Sequence, residues 1–226
     1  MRPVLALLAL LVALTGCGSS SSKDEDEARA TATPNPTAAA DAAGCQQVAA
    51  PKPRDDGSLK APTLTLDPKR TYTATVKTSC GAFTIALDVK RAPKTSASFA
   101  FLARKGFFDK TTFHRISPGF VIQGGDPTGT GQGGSGYSVH EKPPADLSYK
   151  RGVVAMAKTG TEPAGTSGSQ FFVVTADSQL PPDYALLGRV TGGQDAVNAI
   201  ATTPTDPSSE QPLSPVVIDS ITVKES

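Results

Sequence analysis

The chain has 226 residues and a formal net charge of +1, with acidic and basic side chains interspersed, which argues against a nucleic-acid surface. All nine Phe, all four Tyr and both His lie between Tyr72 and Tyr184, so the first seventy residues cannot build a core, while the remainder suffices for one domain. Gly and Pro together make 40 of the residues, too many for a helical bundle, and three Cys with two His and no Cys-x-x-Cys leave almost no ligands for a zinc site.

Residues 1–16 have the pattern of an export leader. Arg2 supplies the positive start, and Val4 to Leu14 form an apolar run of eleven residues, too short to cross a bilayer as a stable helix. Leu14-Thr15-Gly16-Cys17 resembles the bacterial lipobox, in which the Cys is lipidated and becomes the first residue of the mature chain. On that reading acyl chains on Cys17 hold the protein at a membrane surface; the alternative is an ordinary secretory leader with an incidental Cys. No other stretch approaches eighteen apolar residues.

Residues 17–68 read as a tether. Gly18 and four serines precede the charged run Lys23-Asp24-Glu25-Asp26-Glu27, and an Ala/Thr/Pro stretch continues to about Ala43. Such sequence buries too little apolar surface to offset its ordering entropy. Cys45 and Cys80 remain. On an exported chain their pairing is the expectation, closing a loop of roughly 35 residues and pinning the Pro-rich 46–68 stretch to the domain edge. Two separate reduced thiols are the alternative.

The domain is expected over residues 69–226. Tyr72, Ala74 and Val76 alternate with Thr71, Thr73, Thr75 and Lys77; after Ser79-Cys80-Gly81, Phe83, Ile85, Leu87 and Val89 alternate again. That period of two predicts a β-hairpin with one buried face. Pro93 opens a helix running to about Lys105, with Phe99, Leu102 and Ala103 on its core side and Gly106 ending it. Short apolar runs at 112–116, 120–123, 152–157, 170–175 and 185–190 predict strands separated by Gly- and Pro-rich loops. A second helix is expected over Gln194 to Ala201 and a last strand over 216–223. Many short strands with two helices suggest a mostly β domain, a closed antiparallel barrel capped at its ends.

Two motifs can be set aside. Gly129-Thr130-Gly131-Gln132-Gly133-Gly134 satisfies G-x-G-x-x-G, but Ser135-Gly136-Tyr137 leads to Lys142-Pro143-Pro144 and cannot start the helix that a dinucleotide site requires. Gly133-Gly134-Ser135-Gly136-Tyr137 lacks the final Gly of a nucleophile elbow, and only two histidines could act as base.

The informative stretch is Phe113-His114-Arg115-Ile116-Ser117-Pro118-Gly119-Phe120-Val121-Ile122-Gln123-Gly124-Gly125-Asp126. By its pattern alone it is a strand, a Pro-Gly turn and a second strand, placing Arg115, Phe120 and Gln123 near one surface. It closely resembles the signature of the cyclophilins, the barrel-fold peptidyl-prolyl cis-trans isomerases. Val154-Ala155-Met156-Ala157, Gly168-Ser169-Gln170-Phe171-Phe172-Val173 and Leu186-Leu187-Gly188-Arg189-Val190 resemble that family's following blocks in order. Upstream, Ala92-Pro93-Lys94-Thr95 and Phe99 resemble the start of its first helix, and the likeness covers about residues 72–224.

The resemblance implies a closed eight-stranded antiparallel barrel capped by helices, and an isomerase that needs neither cofactor nor metal. It puts Arg115 at the family's catalytic arginine with Gln123 beside it. Phe120, Val121, Phe172 and Leu180 would wall a proline pocket, with Tyr184 closing its side where a His is usual. Gly131, Ala157, Lys158 and Gln170 would line the groove for residues preceding the proline. His114 would be structural and His140 a solvated loop residue. Departures are the absence of Trp, Lys158 in place of Asn, and Ser117 in place of an apolar residue. The resulting expectation is a monomeric prolyl isomerase, lipid-anchored on the extracytoplasmic face of the cell membrane, acting on proline-containing segments of exported proteins. Two readings from other classes stand beside it: a proline-peptide binding module or holdase on the same barrel, and a solute-binding lipoprotein, which fits the anchor but not the motifs.

Overall fold

The structure, a computed structural model, describes residues 41, 43–55 and 57–226; the leader, Cys17 and the acidic run lie outside them. Among the described residues, ten strands and two helices follow in chain order: β1 (Tyr72–Thr78), β2 (Gly81–Leu87), α1 (Pro93–Arg104), β3 (Thr111–Ser117), β4 (Val121–Asp126), β5 (Val139–His140), β6 (Val153–Met156), β7 (Thr166–Ser167), β8 (Phe171–Val174), β9 (Leu186–Gly192), α2 (Gln194–Ala201) and β10 (Val217–Glu225). Eight of them close a barrel in the order β1-β10-β3-β4-β8-β6-β9-β2, every neighbouring pair antiparallel, while β5 and β7 pair as a separate small ribbon. The predicted strands and both helices are present within a few residues of their expected ends. His140 lies in the two-residue β5, exposed, rather than in a loop.

The period of two sorts the side chains. Phe171 and Val173 of β8, with Val154 and Met156 of β6, join Phe83, Phe99, Phe113 and Ile122 in the main core. The intervening Phe172 and Val174, with Val153 and Ala155, face the other way and pack with Val121, Tyr149 and Leu186 in a second cluster. Burial of both faces is what turns these runs into near-continuous hydrophobic strands. Phe171 meets Phe99, Phe108 and Phe113 edge-on at centroid distances of 5.5, 5.9 and 6.0 Å. These geometries add to the area that each ring buries.

Helix α1 starts at Pro93, whose missing N–H costs nothing in the first turn. Two of the N–H groups that every helix start leaves over are satisfied from outside. The Glu141 carboxylate accepts from Lys94 N (3.1 Å) and Thr95 N (2.9 Å), and its charge suits the positive helix end.

The stretch that precedes β1 is held against the barrel edge, as expected from pairing of the two cysteines. The disulfide Cys45–Cys80 is present, and the described residues between it and β1 lie on the barrel as a strap. Gln46 N donates to Ser79 O (2.8 Å), Arg54 N to Pro127 O (3.0 Å), Gly57 N to Gly134 O (2.8 Å) and Leu59 N to Ser135 O (3.1 Å). Cys45 and Leu66 are buried in the main core. The strap needs no aromatic core of its own, because it borrows that of the barrel. Its approach is close at Gly57 and Gly136, where a Cβ would fall 2.6 Å from Ser135 O and 2.0 Å from Gly57 O respectively.

Candidate active site

A break in register aims the central side chain. In β3, Phe113 packs in the main core, so strict alternation would send Arg115 there too. Instead Phe113 pairs with Gly124 and Arg115 with Gln123, so β3 carries one extra residue, His114, against a single step of β4. This bulge resets the parity: Ile116 turns inward, and Arg115 and Ser117 emerge half-buried on the opposite face. The Pro118-Gly119 turn, with Gly119 at φ 70° and Phe120 N donating to Ser117 O (3.0 Å), brings β4 back beside them.

Arg115 then borders a pocket of ≈140 Å³ lined also by Phe120, Val121, Gln123, Ala157, Lys158, Phe172, Leu180 and Tyr184. The structure thus brings together every residue expected to form the proline pocket. Phe172 and Tyr184 stand edge to face at 5.3 Å and give it its apolar wall. A second depression of ≈430 Å³ shares Gln123, Ala157 and Lys158 with the pocket and continues past Gly131 and Gln170, where the groove was expected.

A hydrogen-bonded row joins the two. Arg115 Nη1 donates to Gln123 Oε1 at 3.4 Å; Gln123 Nε2 donates to Gln170 Oε1 at 2.9 Å; Gln170 Nε2 reaches Gly131 O and Gly133 O, both at 2.9 Å. The same loop is gripped from below by Asp126, fully buried, whose carboxylate accepts from Thr128 N (2.8 Å), Gly131 N (2.6 Å) and Gly133 N (3.2 Å). Burial pushes the Asp126 carboxyl up, but the bonds from Thr128, Gly133 and Gly131 outweigh it and hold it below the ordinary value. The G-x-G-x-x-G run is therefore a clamped groove wall, followed by β5 and not by a helix. Burial above all, together with the nearby Arg115 charge, disfavours the charged form of His114 and lowers its pKa despite Asp126. His114 is the bulge residue, which accords with a structural role.

Lys158 lines the pocket, and its ammonium is held by the loops beside it. Nζ pairs with Asp183 Oδ2 (2.7 Å) and donates to Thr159 O (3.2 Å) and Glu162 O (3.1 Å), 5.6 Å from the Tyr184 ring centroid. It ties together the two loops that flank the pocket.

Three residues of the site escaped the sequence reading. Tyr149, fully buried, donates its hydroxyl to Tyr184 O (2.8 Å) and accepts from Tyr184 N (3.0 Å), fixing the backbone that carries the pocket's side wall. Burial, with Asp183 and Tyr184 nearby, pushes that phenol up to about 12. Asp183 is the second, the partner of Lys158. Glu210 is the third, from the loop between α2 and β10: its Oε2 accepts from Arg115 Nε at 2.6 Å and its Oε1 from Ser117 Oγ at 2.5 Å. The Ser117 bond, aided by Arg115 and opposed by slight burial, holds the Glu210 carboxyl below its ordinary value. Its one sequence signal was Ser117, a hydroxyl where the resembling family carries an apolar side chain.

A closed antiparallel barrel with a cation at the lip of a small apolar pocket, beside a groove lined by peptide-bonding groups, defines a binder of extended peptide with one apolar ring. The comparisons specify it further. The family model for cyclophilin type peptidyl-prolyl cis-trans isomerases matches residues 73–223, and the chain belongs to that family of enzymes. A probable peptidyl-prolyl cis-trans isomerase A of Mycobacterium leprae is 41% identical over 67% of this chain and 91% of its own length. A peptidyl-prolyl cis-trans isomerase-like 2 of Cryptococcus neoformans is 37% identical over 66% of this chain, which spans only 27% of that longer relative. Among solved structures, a Cryptosporidium parvum cyclophilin-type isomerase superposes with a TM-score of 0.65 at 32% identity, covering 69% of this chain and 99% of its own.

Proposed function

We propose that this isomerase acts on X-Pro bonds of exported proteins while tethered by lipid on Cys17 to the outer face of the membrane, with Arg115 as its catalytic group. The observation that carries the catalytic half is Arg115 at the lip of the Phe120, Phe172, Leu180 and Tyr184 pocket. A structure of the Cryptosporidium relative in the presence of the dipeptide Ala-Pro supports a proline-sized occupant.

The chemistry follows from the bond. An X-Pro amide prefers trans by only about 0.5–1 kcal/mol, yet crossing takes tens of seconds because resonance imposes a barrier near 20 kcal/mol. At the top of the barrier the C–N bond is twisted, and the proline nitrogen is pyramidal and basic. A catalyst needs no nucleophile; it must bind that twisted form better than either planar one. The apolar pocket holds the ring. Gln170 and the carbonyls of the groove fix the preceding residues. Arg115, permanently charged and forked, donates to the nitrogen lone pair or steadies the rotating carbonyl, with Gln123 fixing one arm of the fork. A protease-coupled or NMR exchange assay on X-Pro peptides tests this directly; binding without acceleration would favour the binding-module reading.

The extracytoplasmic half rests on the leader pattern, on Cys17 and on the Cys45–Cys80 bridge, which suits an oxidising compartment. Cys17→Ser in the full chain should abolish the lipid-shifted mass and release the protein from membranes. Retention at unchanged mass would refute the anchor.

A further inference from the structure

The loop from Pro204 to Leu213 is longer than a simple link from α2 to β10 requires, and it is organised around one strained residue. The Asp206 carboxylate accepts from the N–H and hydroxyl of both Ser208 and Ser209, between 2.6 and 3.0 Å. Asp206 N donates to Gln211 O (2.8 Å) and Leu213 N to Pro204 O (2.8 Å), closing the loop on itself. Glu210 sits at φ 57°, the left-handed region that side chains other than Gly, Asn and Asp rarely adopt. Such a conformation persists only where its surroundings over-determine it.

What over-determines it is β3. Glu210 O accepts from Ile116 N at 2.8 Å, and the carboxylate accepts from Arg115 Nε and Ser117 Oγ on either side. One loop residue thus engages three successive residues of the strand that carries Arg115. The guanidinium has five donors in a rigid plane. Nε is taken by Glu210 and Nη1 by Gln123, and among the described residues Nη2 has no protein partner. Two anchored positions fix the plane, leaving the remaining edge for the substrate.

We propose that Glu210, itself oriented by Ser117, is a positioning residue for Arg115, holding the guanidinium in the plane that meets the twisted prolyl amide. The proposal rests on the reading of Arg115 as the catalytic group. Its basis is preorganisation: a four-bond side chain held before the substrate arrives need not be ordered at the transition state. The anchor also accounts for Ser117, since an apolar side chain there could not donate to Oε1.

The test is steady-state kinetics on one X-Pro peptide for the parent, Glu210→Ala, Glu210→Gln, Ser117→Ala and Arg115→Ala, with thermal midpoints for each. Glu210→Ala should lower kcat about tenfold with KM within twofold. Glu210→Gln, whose amide oxygen can still accept from Nε, should restore most of that loss. Ser117→Ala should cost about two- to threefold in kcat, and Glu210→Ala added to Arg115→Ala should lower kcat no further. Parent-like or raised kcat in Glu210→Ala overturns the proposal, as does an equal fall in the Ala and Gln variants that tracks lost thermal stability. Should Glu210→Ala fail to fold, Ser117→Ala decides alone, with parent-like kcat refuting. Parent-like activity in Arg115→Ala would instead overturn the catalytic assignment beneath it, a separate outcome.

Discussion

Tyr149→Phe removes one oxygen from the second core cluster and nothing else. The ring stays, keeping its contacts with Phe172 at 6.4 Å and Tyr184 at 6.1 Å. What goes is a hydroxyl that donates to Tyr184 O and accepts from Tyr184 N, so a donor and an acceptor of one partly buried residue lose their partner together. Each such bond is worth about 1–1.5 kcal/mol net, giving a loss of roughly 2–3 kcal/mol. In a domain of this size that lowers Tm by about 4–12 °C. Functionally, the loosened Tyr184 backbone should raise KM for an X-Pro peptide about threefold with little change in kcat, since Arg115 sits on β3 and not on the loop that carries Tyr184. The same phenol predicts an alkaline signature. Its pKa is raised on folding to about 12, so its contribution to stability is complete below about pH 10 and is lost as pH rises from there toward 12. Tyr149→Phe should lack that component. Denaturant unfolding at pH 7 and pH 11 measures both effects. A variant within 0.5 kcal/mol of the parent would refute the claim that this hydroxyl braces the pocket, by the usual size of surface effects.

Two further predictions concern the pieces that hold the groove. Replacing Cys45 and Cys80 by Ser opens a closed loop of sequence separation 35 and should cost about 4 kcal/mol by the chain-entropy relation, measured as the difference in unfolding free energy. A cost below about 1 kcal/mol would mean that the strap's backbone hydrogen bonds restrain it unaided. Asp126→Asn should raise KM by loosening the 128–133 loop, and should flatten the acid limb of stability. Because its folded pKa lies below the unfolded value, Asp126 stabilises above about pH 4 and loses that contribution as pH falls through the folded value; an equal acid limb in the Asn variant would contradict this.

The barrel was legible because its strands obey a simple period and its helices carry boundary signals, Pro93 opening the first and Gly106 ending it. The pocket was legible because its blocks of residues are long, ordered and close to a family signature. What stayed hidden is what sequence distance hides. Nothing local tells that Glu210 meets Arg115, ninety-five residues earlier, or that Tyr149 OH brackets the backbone of Tyr184. The two cysteines announce that residues 46–68 are pinned to the barrel, but not the backbone bonds to Ser79, Pro127, Gly134 and Ser135 that dock them, because a segment without aromatic residues gives no local sign of the neighbouring core it uses. Lys158 was assigned to the groove by position. It lines both depressions, while the partner of its ammonium, Asp183, lies on a separate loop twenty-five residues on. The bulge at His114 was invisible as well, since one register step decides whether Arg115 faces the core or the pocket.

The central claim is that Arg115 catalyses by binding the twisted amide, and the most direct measurement is kcat/KM for Arg115→Ala on an X-Pro peptide, with affinity and stability measured alongside. The expected result is a fall of about two orders of magnitude, roughly 3 kcal/mol of transition-state stabilisation. Peptide affinity should change far less, because the apolar pocket remains, and Tm should move little, because Arg115 is about one-third exposed and its ion pair with Glu210 is partly solvated. Lys at position 115 should restore little, since a point charge on a flexible stem cannot reproduce the fork. Isomerisation by Arg115→Ala as fast as by the parent would contradict the account.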